Sequence, residues 1–128
     1  MTALGSERRT EHLKKGRDAE DRVLSFLERQ GLRCLTRNFR SRYGEIDLVM
    51  DERGTVVFVE VRYRGASRFG GPLESIDARK RARLTATAQW YLCSQRITGP
   101  ARFDVVGVEP LANETCSFVW IKDAIQDR

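Results

Sequence analysis

Hydrophobic and polar residues alternate with a period of two through the centre of the chain, in two runs separated by a turn. In residues 44–50, Glu45, Asp47 and Val49 alternate with Ile46, Leu48 and Met50. In residues 55–63, Val56, Phe58, Glu60 and Arg62 alternate with Val57, Val59, Val61 and Tyr63. Successive strand side chains point to opposite faces, so Glu45 and Asp47 share a face, as do Glu60 and Arg62. The intervening DERG (51–54) has turn chemistry, with Gly54 free to take positive φ. A symmetric four-residue connection predicts Met50 opposite Thr55, Asp47 opposite Phe58 and Glu45 opposite Glu60. Asp47 and Glu60 are then diagonal neighbours, about 7–8 Å apart at the backbone. A one-residue bulge would flip this parity and break up the acids.

Elsewhere the period is helical. Val23, Leu24 and Leu27, with Phe26 at the margin, form a stripe in a helix that begins near Thr10 or Asp18. The helix runs to Gln30 and is stopped by Gly31. Glu20 precedes those residues by three, four and seven positions, which puts it on the inward face or at its solvated edge. A second helix starts at Ser75 or Asp77, both good N-caps, and reaches about Gln95 with a stripe of Leu84, Ala88, Tyr91 and Leu92. Lys80, four residues before Leu84, projects from that packed face toward the sheet. Short strands are predicted at 32–39, 102–108 and 117–121, with a turn at 110–114 and a helical tail after the last strand. The order of helix, three strands, helix, two strands predicts an α/β fold with a central mixed sheet flanked by helices. Residues 1–9 are expected to be a flexible tail and 10–128 a single domain.

Composition narrows the function classes. The chain has 128 residues, 41% hydrophobic and 32% charged, with a net charge of +5 that suits an anionic partner. There is no apolar run long enough for a membrane span and no signal-peptide core near the N-terminus. Cys34, Cys93 and Cys116 lack C-x-x-C spacing and read as small core residues of a protein in the reducing cytoplasm. With His12 as the single histidine, and no phosphate loop or nucleophile elbow, the commoner hydrolase and nucleotidase arrangements have little to stand on.

The central carboxylates carry the chemistry. Glu60 sits in VVFVEVRY, apolar on both sides, which marks a central strand. A buried carboxylate needs a partner, either a cation held jointly with Asp47 or a structural salt-bridge cluster; on the plainer reading of a solvated face, Arg62 simply pairs with Glu45 or Asp47. Arg33, Arg37, Arg40 and Arg42 fall in an acid-free stretch, the Gly-rich loop 64–73 adds Arg64 and Arg68, and Arg79, Lys80, Arg81 and Arg83 crowd the first turns of the second helix. That is the wrong end of a helix for positive charge, which favours a role outside helix stability, although a solvated basic face accounts for Arg79, Arg81 and Arg83 equally well.

Several segments together resemble the YraN family: G-x-x-x-E (Gly16, Glu20), RN (Arg37, Asn38), GEIDLV (44–49), FVEVRYR (58–64), FGGP (69–72), Lys80 and RFDVV (102–106). The family looks like a branch of the PD-(D/E)xK nuclease superfamily, similar to archaeal Holliday junction resolvases. The resemblance implies a restriction-endonuclease-like core and a metal-dependent endonuclease acting on DNA, selective for branched or junction structures, with RNA an alternative substrate. It implies Mg²⁺ or Mn²⁺ held by Glu20, Asp47 and Glu60, with Glu45 nearby. Asp47, Glu60, Arg62 and Lys80 would be catalytic, and Arg37, Arg40, Arg42, Arg64, Arg68, Arg79 and Arg83 would bind the nucleic-acid backbone. A homodimer would suit a two-strand junction cut. This chain departs from the superfamily in having Arg62 where the motif has Lys, and Arg cannot deprotonate a water. Two other readings therefore stand beside the nuclease: a nucleic-acid-binding module that no longer cuts, and a protein-interaction domain whose acids are structural.

Overall fold

A computed structural model describes residues 18–63, 73 and 76–126. Its centre is a five-stranded sheet in the order β1-β2-β3-β4-β5, formed by Arg33–Ser41, Gly44–Glu52, Thr55–Tyr63, Ala101–Pro110 and Cys116–Ile121. Three pairings are antiparallel, and β3 runs parallel to β4 because the α2 helix (Ala78–Ser94) forms the crossover between them. The α1 helix (18–29) covers one face of the sheet: Ala19, Val23 and Leu27 pack on Leu48, Met50, Val57, Val59, Val106 and Val108. On the other face, Leu84, Ala88 and Tyr91 of α2 pack on Ile46, Val49, Val56, Phe58 and Val105. The fold is therefore a mixed α/β sandwich consistent with a restriction-endonuclease-like core, and β3 is its middle strand, as the apolar run around Glu60 predicts.

Both helix boundaries follow from local chemistry. Gly31, at φ 98, lets Leu32 N–H reach back to the Leu27 carbonyl at 3.1 Å and closes α1. The Asp77 side chain caps α2 by accepting from Lys80 N–H at 2.8 Å, which holds its own carboxyl below the usual range. Residues 1–17, including the predicted tail, Gly16 and His12, lie outside the described residues, as do Ser75 and residues 64–72.

Three expectations need correction. The β2–β3 connection has two residues, not four: Glu52 pairs with Thr55, and Arg53 and Gly54 take φ 50 and 92, as a tight hairpin turn with two positive φ values requires. The register moves by two, which keeps the expected faces along the paired stretch 48–52, but Val49 faces Phe58 where Asp47 was expected to, Glu45 does not oppose Glu60, and Ile46 lies on the opposite side from Leu48 and Met50. Residues 122–126 are turns rather than a helix, because Asp123 N–H is bonded to the Asp104 carboxylate and Ala124 N–H to the Phe103 carbonyl. Cys34 and Cys116 pack against the α1-side core, whereas Cys93 is an exposed residue of α2.

Candidate functional site

The β2–β3 ladder stops at Leu48↔Val59. Beyond it, β2 stays with β1 as far as Gly44↔Ser41, while β3 stays with β4 as far as Tyr63↔Val108. The central strands thus part company, and the residues at the fork are Asp47 and Glu60. Alternation of sides also fails here, since Ile46 and Val49 belong to the α2-side core and Leu48 to the α1-side core. Asn38 on β1, at φ 52, marks the same irregularity on the neighbouring strand. A cleft of about 630 Å³ opens at the fork, walled by Ala19 and Glu20 of α1 and by Lys80, Arg83 and Leu84 of α2. Its floor is Asp47, Glu60, Val61 and Arg62, and Glu45 and Tyr43 stand on its rim.

Glu60 is 5% exposed and has two cations on it, Lys80 Nζ at 2.7 Å and Arg62 Nη2 at 3.1 Å, both on Oε2. Asp47 Oδ2 accepts from Val61 N–H at 2.8 Å. Burial first, and then the neighbouring Glu60, push the Asp47 carboxyl up to about 8. Burial and the adjacent acid both disfavour the ionised form of Asp47, so its carboxyl tends to keep its proton toward Glu60. Burial also raises the Glu20 carboxyl, opposed by its hydrogen bond to the Asn38 side chain and aided by Glu45. Arg62 Nε is buried and has no hydrogen-bond partner among the described residues. A buried, unpaired guanidinium donor is costly in a finished structure and useful where an oxyanion is to bind.

The structure brings Glu20, Glu45, Asp47, Glu60, Arg62 and Lys80 to one cleft, with Asp47 and Glu60 in direct contact. Glu45 is turned outward and pairs with Arg40 at 3.5 Å. The basic residues divide. Arg37 is engaged by Asp21, and Arg42 donates to Tyr43 Oη at 2.9 Å with its guanidinium 5.0 Å from that ring's centre. Arg79 and Arg83 are exposed and make no ion pair among the described residues, and Arg83 lines the cleft. Arg64 and Arg68 lie outside the described residues. Sequence reasoning quoted Asn38 without a role; its tolerance of positive φ was the signal, and it orients Glu20.

The donor set can be tested against a divalent metal. All the candidate ligands are oxygen donors, and the Asp47 carboxyl, raised first by burial and then by Glu60, stands beside a second acid in a place where a dication would favour its ionised form. Among the described residues, however, no three His, Cys, Asp or Glu side chains close on one point as a complete cage would. The site fits a hard cation held by Asp47 and Glu60 that keeps much of its water, with Glu20 in reach of the cleft rather than on the same point.

Asp104, the acid of RFDVV, belongs to a different structure. It is fully buried, and receives Arg102 Nε and Nη2 at 2.9 and 3.1 Å, Trp120 Nε1 at 2.9 Å and Asp123 N–H at 2.9 Å. Arg102 Nη1 extends the network to Glu52 at 2.8 Å. Every partner is satisfied, so this network ties β4 and β5 to the β2–β3 turn.

Comparison with known proteins matches residues 19–108 to the model of uncharacterised protein family UPF0102, a span that holds every described residue of the acid and lysine cluster. The chain is 50% identical over 111 residues to a UPF0102 protein of Methylococcus capsulatus, covering 87% of this chain and 89% of that one. It is 50% identical over 115 residues to one from Pseudomonas fluorescens (88% and 93%), and 44% identical over 119 residues to one from Nitrosococcus oceani (90% and 94%). Among the described residues no helix is long and apolar enough to cross a membrane.

Proposed function

This chain belongs to UPF0102, the YraN family, and we propose that it is a metal-dependent endonuclease that hydrolyses DNA phosphodiester bonds, with branched or otherwise structured DNA as its preferred substrate. The observation that carries the reading is the meeting, at one fork in the sheet, of two acids, Asp47 and Glu60, with two cations, Lys80 and Arg62, that both contact Glu60. Oxygen ligands alone would serve a metal and cations alone a phosphate, whereas the reaction needs both within one cleft.

In hydrolysis a water oxygen forms a bond to phosphorus as one P–O ester bond breaks, and the departing oxygen takes up a proton. A bound Mg²⁺ or Mn²⁺ supplies Lewis acidity and lowers the pKa of water. The chain's own part is electrostatic and positional. Asp47 and Glu60 present the anionic oxygens, and Val61 N–H fixes the Asp47 carboxylate in place. Arg62, whose Nε has no hydrogen-bond partner among the described residues, and Lys80 donate to the phosphoryl oxygens as negative charge grows there. Arg62 stays protonated throughout and takes no proton from water. Arg79 and Arg83 hold the flanking phosphates, giving backbone contact without base reading.

One observation favours a second reading. Lys80 and Arg62 already neutralise Glu60, so the same cleft is consistent with a module that grips phosphate and does not cut. Labelled four-way junction, flap, single-stranded and duplex DNA, incubated with Mg²⁺, Mn²⁺ or chelator, separates the two. The nuclease reading expects metal-dependent cutting that Asp47→Ala and Glu60→Ala abolish. Binding without cutting in either metal would replace it with the second reading.

A further inference from the structure

Next to the cleft lies a hollow of about 320 Å³ lined by Ser41, Arg42, Tyr43 and Trp90. Trp90 is 55% exposed and Tyr43 37%, while the core around them is dense in buried aromatics. An exposed Trp and a partly exposed Tyr in one pocket, with a guanidinium over the Tyr ring, leave aromatic surface that gains by covering with a flat, polarisable group. Ser41, Arg42 and Tyr43 line both the hollow and the acid cleft, so the two lie on either side of one turn.

The wall they share is built by α2. Lys80, Arg83, Thr87 and Trp90 are spaced three, four and three residues apart, which places them in one row on the helix. The row is about 15 Å long. At one end Lys80 touches Glu60, in the middle Thr87 receives a hydrogen bond from Ser41 at 3.4 Å, and at the far end Trp90 faces the hollow. The tight β1–β2 turn is thereby docked on α2, which fixes Tyr43 and Arg42 opposite Trp90. Thr87 is itself buried under the β1–β2 turn, so a strand gripped at Lys80 and Arg83 by its phosphates would pass over that turn, past Arg42 and Tyr43, to reach Trp90.

We propose that the hollow is a stacking platform for an unpaired nucleobase, with Trp90 as the principal face and Tyr43 and Arg42 as its flank. This rests on the nucleic-acid reading of the cleft and deepens it: the preferred substrate has single-stranded character beside the scissile phosphate. Bases paired in a duplex keep their faces covered and cannot use the platform, whereas flaps, junction branch points and single strands can. Recognition is sequence-tolerant, because every base has a π face.

The test uses the intact chain with chelator present, so that binding is read apart from cutting. Only two tryptophans are present, and Trp120 is held by Asp104 in the interior network. Oligothymidylate is expected to quench tryptophan emission of the wild type, and the quenched component is expected to vanish in Trp90→Phe while affinity is kept. Trp90→Ala should weaken oligothymidylate binding about tenfold or more, the scale of one lost base stack, with blunt duplex binding unchanged. Tyr43→Ala should act in the same direction. Binding of oligothymidylate with Trp90 emission unmoved, or an equal loss for single strand and duplex, overturns the platform and leaves the cleft reading standing. Absence of any nucleic-acid binding at low salt overturns both. Quenching that instead follows protein concentration without DNA would assign the hollow to a second copy of the chain and overturn the proposal.

Discussion

Asp47→Asn is expected to stabilise the protein while removing one of the two acids of the cleft. The Asp47 carboxyl is pushed from 3.8 up to about 8 by burial and by Glu60. Between about pH 4 and about pH 8 the folded state therefore keeps a proton that the unfolded chain has released. With more protons bound to the folded state, stability falls as pH rises through that window, by at most about 1.4 kcal/mol per pH unit. At lower pH both states are protonated and the group is neutral in its effect; above about pH 8 both are ionised and the penalty stops growing. The substitution has little structural cost, since the amide oxygen can still accept the Val61 N–H and the amide N–H₂ can donate to Glu60 in place of the carboxyl proton.

The size of the effect depends on slope rather than on the exact pKa. From about pH 5 to about pH 7 the gap in stability between Asp47→Asn and the wild type should widen by about 1–2.7 kcal/mol, the upper figure being full retention of one proton. Urea unfolding of both proteins at the two pH values, with chelator present, measures it. Taking the difference between the proteins cancels the other titrating groups. A gap that stays constant or narrows would refute the raised Asp47 carboxyl and, with it, the electrostatic support for a metal at this site. Mg²⁺ supplies the companion arm: it should raise the melting temperature of the wild type, more at higher pH, and leave the variant nearly unmoved, with chelator reversing the gain.

Asp104→Ala should cost about 3–5 kcal/mol in urea unfolding, because it strands a buried Arg102 and leaves the Trp120 and Asp123 N–H groups unpaired. Gly54→Val should cost about 1–3 kcal/mol through its φ of 92 alone, since no atom stands within 4 Å of the added Cβ; unfolding that matches the wild type would show the turn to be relaxed. DNA affinity should fall steeply with salt, and Arg83→Ala should reduce the log–log slope by about one without changing sequence preference, as measured by titration across salt concentrations.

The elements were legible because each is marked by a strong local signal. Asp77 and Gly31 mark the ends of two helices, and the apolar run through Glu60 marks a central strand. The gathering of Glu20, Asp47, Glu60, Arg62 and Lys80 was also legible, from period two in the strands and period 3.6 in the helices. What pattern could not supply was the register. DERG reads equally well as a four-residue loop or as the Arg53-Gly54 tip of a tighter turn, and both choices keep the same faces. Only the backbone decides, and Arg53 at φ 50 decides for the tight one. The helical reading of the C-terminal segment failed for a related reason, since its amides are claimed by Asp104 and Phe103, residues about twenty positions away. The Asp104 network was missed because a buried Asp in RFDVV announces a need for partners without saying which they are.

The corrected register changes the argument for the site more than it changes the fold. Diagonal acids within a continuous ladder would sit on a flat, filled sheet with nowhere for a phosphate. Counting on from Leu48↔Val59, the next facing residues are Asp47 and Glu60 themselves, and there the ladder ends. Directly opposed carboxylates disfavour strand pairing, so the repulsion and the fork belong together: β2 follows β1, β3 follows β4, and the gap becomes the cleft. Lys80 and Arg62 then hold Glu60 in place, whereas Asp47 pairs with no cation among the described residues and its carboxyl is raised by burial and by Glu60. A scaffold selected only for stability would replace this fork with paired apolar residues, as in the adjoining pairs Leu48↔Val59, Val49↔Phe58 and Met50↔Val57. The sheet is interrupted where the acids lie, and the interruption makes physical sense if a cation and a phosphate fill it.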